Sequence, residues 1–275
     1  MPKLVFLGTG TSCGVPQLGC RCEVCTSTDR HDYRFRTSAL YKADDGCHIL
    51  IDCGPDFREQ MLRYSSLCDM VRPFKGTMMA SGNNFGLASI DAVLITHEHY
   101  DHVGGLDDLR PFTYQKDVDI YASSLCAEHL KARMPYCFIE DKYPGVPQVR
   151  LHDVKSGDVI RVGQTEIDVV EVIHGQMPIL AYRFGDMAYI TDMSCMTDEE
   201  VLKLKGVKIL IVNALRYKPH HSHQTLSEAL SLIETLHPEQ SYLIHMSHEI
   251  GLHAVVNEIL PQGVQLAYDG LKISW

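Results

Sequence analysis

The sequence predicts an α/β protein whose sheets are covered by helices, and three observations carry the prediction. Short apolar, β-rich runs recur along the whole chain; helical patterns with apolar residues at three- and four-residue spacing interrupt them; and no repeat, low-complexity tract or long linker breaks the alternation. In chain order, KLVFL (3–7) reads as a first strand, followed by strands at SALYKA (38–43) and HILID (48–52) and a helix at PDFREQMLRY (55–64). DAVLIT (91–96) is a strand, GGLDDLRPF (104–112) a helix opened by two glycines, VDIYA (118–122) a strand and SLCAEHLKARM (124–134) a helix. Strands follow at TEIDVVEVI (165–173), LAYRF (180–184), MAYIT (187–191), VKILIV (207–212), SYLIHM (241–246) and, as one run, VQLAYDGLKIS (264–274). The intervening helices are TDEEVLKLK, TLSEALSLIETL and LHAVVNEIL; Thr197 and Thr225 stand where N-caps belong, and Thr197 with Glu200 spells a capping box. Residues 65–89, rich in Gly, Ser, Met and Asn, fit neither pattern and predict a loop insertion, a mobile lid near the site.

At 275 residues the chain can bury a sizeable core, and 45% hydrophobic with 22% charged residues is ordinary for a soluble globular protein. No apolar run approaches the ~18 residues a membrane helix needs, and the apolar stretch in MPKLVFLGTG is too short for a signal sequence, so a cytoplasmic location is expected. The formal net charge of -10 disfavours a broad surface for gripping long nucleic acids. Of the ten cysteines, Cys13, Cys47, Cys53, Cys68, Cys126, Cys137 and Cys195 are scattered and read as small buried hydrophobes. The remaining three, in GCRCEVC (19–25), form a C-x-C-x-x-C cluster that suits structural zinc better than a redox pair, though zinc wants a fourth ligand.

LITHEHYDHVGGL carries the most chemistry. An apolar strand delivers His97, His99, Asp101 and His102 within six residues, a density hard to reconcile with packing because buried imidazoles and a carboxylate repel and desolvate one another without a cation between them. With the glycines after it, H-x-H-x-D-H resembles the metallo-β-lactamase superfamily. Later residues match that family's pattern in order: Asp52 after HILI, His174 after VVEVI, Asp192 after MAYIT and His245 after SYLI. The resemblance implies an αββα sandwich in a single domain spanning 1–275, with two divalent metal ions, zinc or manganese, at one edge. One ion would take His97, His99 and His174, the other Asp101, His102 and His245, with Asp192 bridging and Asp52 supporting the histidine loop from behind. A dinuclear site of this kind hydrolyses several ester classes, so fold alone does not select the substrate.

FLGTGTSCGVPQLGCRCEVC looks like the start of the PhnP-type cyclic phosphodiesterases, in which three thiolates and a histidine just past the final active-site histidine hold a structural zinc. The match here is Cys20, Cys22 and Cys25 with His248, in HMSH. The same resemblance places a non-ligand histidine before a late helix; His223 fits best, ahead of its neighbours His220 and His221, to assist the leaving oxygen or stabilise phosphate charge. Asp101 and His223 are thus the expected catalytic residues. Arg216 and Lys218 either grip a terminal phosphate or are plain surface charges. The implied function is hydrolysis of a small, cyclic sugar phosphate of the phosphoribosyl 1,2-cyclic phosphate kind, by a protein with no membrane partner that forms a homodimer. An RNase Z-like tRNA nuclease shares the metal ligands, but the segment 65–89 offers only Arg72 and Lys75 as basic residues for a tRNA arm. A PqqB-like non-catalytic metal or small-molecule binder is the remaining alternative; every ligand position is filled, which favours an enzyme.

Overall fold

On β1 (Lys3–Gly8), Leu4 and Phe6 point to one side and Val5 and Leu7 to the other, and all four are fully buried. The period of two therefore feeds two cores at once, as expected of a sheet covered on both faces. The computed structural model describes residues 1–68, 89–113, 116–140 and 145–275, so 69–88 of the expected insertion lie outside the described residues. After β1 come β2 (Ser38–Lys42), β3 (His48–Ile51), α1 (Phe57–Tyr64), β4 (Ala92–Leu94), α2 (Tyr100–Val103), β5 (Val118–Ala122), α3 (Ser124–Arg133) and β6 (Val149–Asp153). The second half holds β7 (Val159–Val162), β8 (Thr165–His174), β9 (Met177–Phe184), β10 (Met187–Tyr189), α4 (Asp198–Lys203), β11 (Ile209–Asn213), α5 (Leu226–Leu236), β12 (Gln240–Ile244), α6 (His253–Ile259), β13 (Val264–Leu266) and β14 (Lys272–Ser274).

Among the described residues two seven-stranded sheets result, ordered β14-β1-β2-β3-β4-β5-β6 and β13-β12-β11-β10-β9-β8-β7. Leu4, Phe6, Ile49, Ile51, Leu94, Tyr182, Tyr189, Ile211 and Ile244 fill the space between them. On the outer face of the first sheet, Val5, Leu7 and Leu50 pack with Phe57 and Met61 of α1 and Leu130 of α3. On the outer face of the second, Leu210, Val212 and Leu243 pack with Leu226 and Leu232 of α5 and Val256 of α6. This is the αββα sandwich. Each sheet runs parallel through the pairs β3–β4–β5–β6 and β10–β11–β12–β13, and the C-terminal ends of these strands carry the site described below. The Tyr182 hydroxyl donates to the carbonyl of Ile95 across the sheets (2.7 Å), fixing the strand that enters the histidine motif. Among the described residues, no helix is long and apolar enough to cross a membrane.

Several local expectations need correction. The strands β6 and β7 lie outside the predicted set; each is short and lies at a sheet edge, β6 with Arg150, His152 and Asp153 among its residues and β7 with Arg161. The run 264–274 is two strands in different sheets, broken by a turn whose Asp269 carboxylate accepts from the Thr9 hydroxyl and the Phe35 amide. The glycines open a 3-10 helix rather than an α-helix: Gly105 is the N-cap of Leu106–Phe112, which has Pro111 inside it, while α2 starts earlier, at Tyr100 inside the motif. Gly105 is needed for close approach, since a Cβ there would lie 2.1 Å from the carbonyl oxygen of Gly54. Cys53, Cys126 and Cys137 are buried as expected, whereas Cys47 is partly covered and Cys13 and Cys195 are exposed; the Cys68 side chain lies outside the described set.

Thr197 does cap Glu200 N, but the Glu200 carboxylate turns away to accept from Ser156 Oγ, Lys203 Nζ and the Glu171 amide. The complete capping box is instead Thr225 with Glu228, each side chain reaching the other's backbone N–H. Thr225→Ala is expected to cost about 1 kcal/mol in denaturant unfolding, because it orphans the Glu228 amide.

Candidate metal centre and active site

The strand ends project the site residues by an uncommon backbone turn. Asp52 after β3, Asp192 after β10 and His245 after β12 all adopt left-handed conformations, with φ of 57°, 56° and 55°. Such a conformation costs a non-glycine residue on the order of 1–3 kcal/mol and persists only where surroundings impose it. Here it swings each side chain out of the strand's alternation and into one cluster at the parallel strand ends. His97 follows β4, His174 ends β8, and α2 places Asp101 and His102 on its first turn.

The predicted residues converge. Donor atoms of His97, His99 and His174 lie within 4.8 Å of one another, as do those of Asp101, His102, Asp192 and His245. Asp192 reaches both groups: Oδ2 is 3.8 Å from His97 Nε2, and Oδ1 is 3.3 Å from His102 Nε2 and 2.9 Å from His245 Nδ1. Asp52 lies behind the cluster, accepting from the Thr96 amide (2.8 Å) and from His102 Nδ1 (2.7 Å). That bond fixes the tautomer of His102 and aims Nε2 inward. His174 is fixed in the same way, its Nδ1 donating to the carbonyls of Asp192 (2.7 Å) and Ser222 (2.8 Å).

The electrostatics ask for a cation. Burial and the neighbouring His102 drive His97 well below the ordinary imidazole range. Burial pulls His102 the same way, yet the carboxylates of Asp192, Asp101 and Asp52 together outweigh it and raise its pKa. Burial opposes ionisation of Asp192, but His245 and His102 hold its carboxyl well below the usual range. His102 Nε2, although 3.1 Å from Asp101, is buried without a hydrogen bond. Imidazole nitrogens and carboxylates converging in these two sets and in a third that overlaps both, His174, Asp192 and His223, with an orphaned inward nitrogen on His102, fit divalent metal binding.

The cysteine cluster also assembles. Cys20, Cys22, Cys25 and His248 bring their donor atoms within 4.8 Å, with Cys22 Sγ 3.1 Å and Cys20 Sγ 3.6 Å from His248 Nδ1. An N–H from the Cys25 backbone lowers the Cys22 thiol towards the thiolate, while burial pushes Cys25 up.

Of the three late histidines, His223 is the one at the centre. Its ring stacks on His245 (4.9 Å between centroids) and sits 4.7 Å from His174, with Nδ1 3.9 Å from Asp192 and buried without a partner. Burial, then the nearby His245, hold its pKa down to about 3, so the imidazole is neutral and offers one N–H donor. His220 Nδ1 instead faces Ser222, 3.3 Å from both its amide and its hydroxyl. The exposed His221 lines a cavity of about 480 Å³ at the mouth of the site with His99, His174, Gln176, Met177 and Ser222.

Three contributors escape the sequence pattern. The Thr11 hydroxyl lies 3.2 Å from His245 Nε2, because the G-T-G-T segment runs beside residues 245–246 with Thr11 N donating to Met246 O. Thr96 links Asp52 to His97 Nδ1 (3.0 Å). Asn213 clamps both the amide and the carbonyl of Met193, beside Asp192. The first was visible only as part of GTGT, and the others carry no motif.

Residues 48–246 match the family model of a beta-lactamase superfamily domain. An octanoyltransferase of Porphyromonas gingivalis is 42% identical over 271 residues, covering 98% of this chain and 51% of that protein. The chain therefore spans about half the length of that relative, whose name describes the whole. A solved structure described as a new diphosphatase from the PhnP family superposes with a TM-score of 0.84 at 40% identity, over 99% of this chain and 96% of that one. Zinc-bound PqqB from Methylobacterium extorquens shares the fold at a TM-score of 0.76 and 19% identity, over 99% and 100% of the two chains. With its family model spanning most of the sandwich and a near-full-length PhnP-family counterpart, the chain belongs to the metallo-β-lactamase superfamily and is a PhnP-like member of it.

Proposed function

We propose that the protein is a metal-dependent hydrolase of small phosphodiesters, with a cyclic sugar phosphate as the preferred substrate class. His223 carries the reading: its neutral imidazole lies between His174 of one donor set and His245 of the other, beside the cavity-lining Ser222, which supports a role as donor to an oxygen leaving phosphorus. The two groups of ligands would hold two divalent ions, zinc or manganese, with Asp192 between them, and such a pair supplies Lewis acidity and a nucleophile near neutral pH. The protein's own residues do the positioning. Asp52 and Thr96 lock the histidine loop, the carbonyls of Asp192 and Ser222 hold His174, and His223 donates its N–H as negative charge develops on the departing sugar oxygen. A thioester, lactone or β-lactam hydrolase would have no evident use for His223. The net charge of -10 weighs against long nucleic acids. A homodimer belongs to the same proposal, with light scattering as its test.

The PhnP-family structure described as a diphosphatase favours a second reading, cleavage of a small organic diphosphate at the same site. The deciding experiment is a substrate panel of cyclic ribose phosphates, bis-p-nitrophenyl phosphate, organic diphosphates, thioesters, lactones and β-lactams, with metal content measured on the same sample. Turnover confined to the phosphodiesters is expected; none with any divalent metal would sink the proposal. His223→Ala is expected to lower kcat by ~10²–10³-fold while leaving metal content unchanged.

A further inference from the structure

We infer that Arg216 is a positioning residue that ties the loop 217–223 to the cysteine cluster and so sets the place of His223; the inference rests on the catalytic reading of His223 given above. The loop 217–223 leaves the second sheet and returns through a closed neck, Leu215 N donating to Gln224 O and Leu226 N to Arg216 O, both at 3.0 Å. Inside the neck one guanidinium does three jobs. Arg216 Nε donates to Lys218 O and Nη2 to Pro219 O, each at 3.2 Å, and Nη1 pairs with the Glu249 carboxylate. Each of the three nitrogens is thereby engaged within the protein, so Arg216 holds the loop in place.

Glu249 directly follows His248 of the cysteine cluster. The same segment is joined to the neck a second time, through Ser247 N and Oγ on the carbonyl of Leu215 at 3.0 and 3.1 Å. At its far end the loop meets the site, where Ser222 O accepts from His174 Nδ1 and His223 stacks on His245. A displacement at the neck thus reaches both His223 and the orientation of His174. The Arg216–Glu249 pair is part-exposed, with 26% and 40% of the side chains accessible, so its charge adds little stability. Its worth is geometric: a rigid fork spans two carbonyls and a carboxylate, which the single ammonium of lysine does not.

The test compares Arg216→Ala and Arg216→Lys in the metal-replete protein, with bis-p-nitrophenyl phosphate as substrate. Both are expected to lower kcat about 10- to 100-fold, the penalty typical of a small misplacement of a catalytic group, with little change in KM, melting temperature or metal content. In a His223→Ala background, Arg216→Ala is expected to lower kcat much less than in the wild-type background, the residual loss coming through His174. Imidazole ¹H–¹⁵N spectra of histidine-labelled protein should show the His223 and His174 signals moving in both Arg216 variants. Unchanged kcat, full activity in Arg216→Lys, or an undiminished loss in the His223→Ala background would each overturn the inference. If the wild-type protein hydrolyses no phosphodiester, the catalytic reading fails by itself, and the imidazole spectra alone decide: unmoved His223 and His174 signals refute the linkage.

Discussion

Asp192→Asn is expected to reduce hydrolysis by about 10³-fold or more while leaving the fold intact. Asparagine tolerates the left-handed backbone that position 192 adopts, so the substitution tests charge rather than conformation. What it removes is the carboxylate facing His97, His102 and His245, whose imidazoles are then gathered around a neutral amide. Metal content should fall by at least one ion per chain, with far-UV circular dichroism unchanged. Asp192→Ala adds the cost of a left-handed alanine, about 1–2 kcal/mol, and should therefore melt below the asparagine variant. Retention of more than a tenth of the activity with full metal content in Asp192→Asn would remove Asp192 from the centre of the site.

Cys22→Ser is expected to release one tightly held zinc and to destabilise the protein by about 3 kcal/mol or more, a drop in Tm of roughly 6–12 °C for a chain of this size. The magnitude follows from what surrounds the cluster. None of residues 16–30 is buried, and Leu18 is 96% exposed, so no apolar core holds this stretch. Its fixed points are Val15 pairing with Arg34 just before it, the meeting of Cys20 and Cys22 with His248, and the Ser27 hydroxyl on Asp32. Four donors closing a tetrahedral site would supply the missing cross-link. The donors around Asp192 lie on other elements and should keep their metal. Unchanged zinc stoichiometry and Tm in Cys22→Ser would mean that the thiols are only neighbours.

The cluster His97, His99, Asp101 and His102 was legible in the sequence because four donor side chains crowd one loop, whereas His174, Asp192 and His245, weak signals singly at the ends of apolar runs, were legible only through the resemblance to the metallo-β-lactamase pattern. That the sheets are covered on both faces was legible because strands such as β11 are apolar at successive positions; the αββα order itself came from the family resemblance. Other features depend on partners distant in sequence. Glu200 has the spacing of a capping box, but Ser156, Lys203 and the Glu171 amide draw its carboxylate away. Arg216 looks like a free cation until Glu249 and two loop carbonyls are seen around it. The split of 264–274 between sheets turns on Asp269 reaching Thr9 and Phe35, some 230 or more residues away in the chain. A period-two pattern does not say which sheet a strand joins, and β6 and β7, at five and four residues, are too short for an alternation to stand out in the sequence.

The left-handed turns at Asp52, Asp192 and His245 also bear on how such a site can diverge. Each of these positions is constrained twice, by donor chemistry and by a backbone that β-branched and bulky side chains resist. His97, His99 and His174 are not among the positive-φ residues and carry only the first constraint. Asp101 and His102 share that freedom, so a side chain can be exchanged at any of these five positions without rebuilding the chain beneath it, whereas Asp192 and His245 tie the identity of the side chain to the path of the backbone.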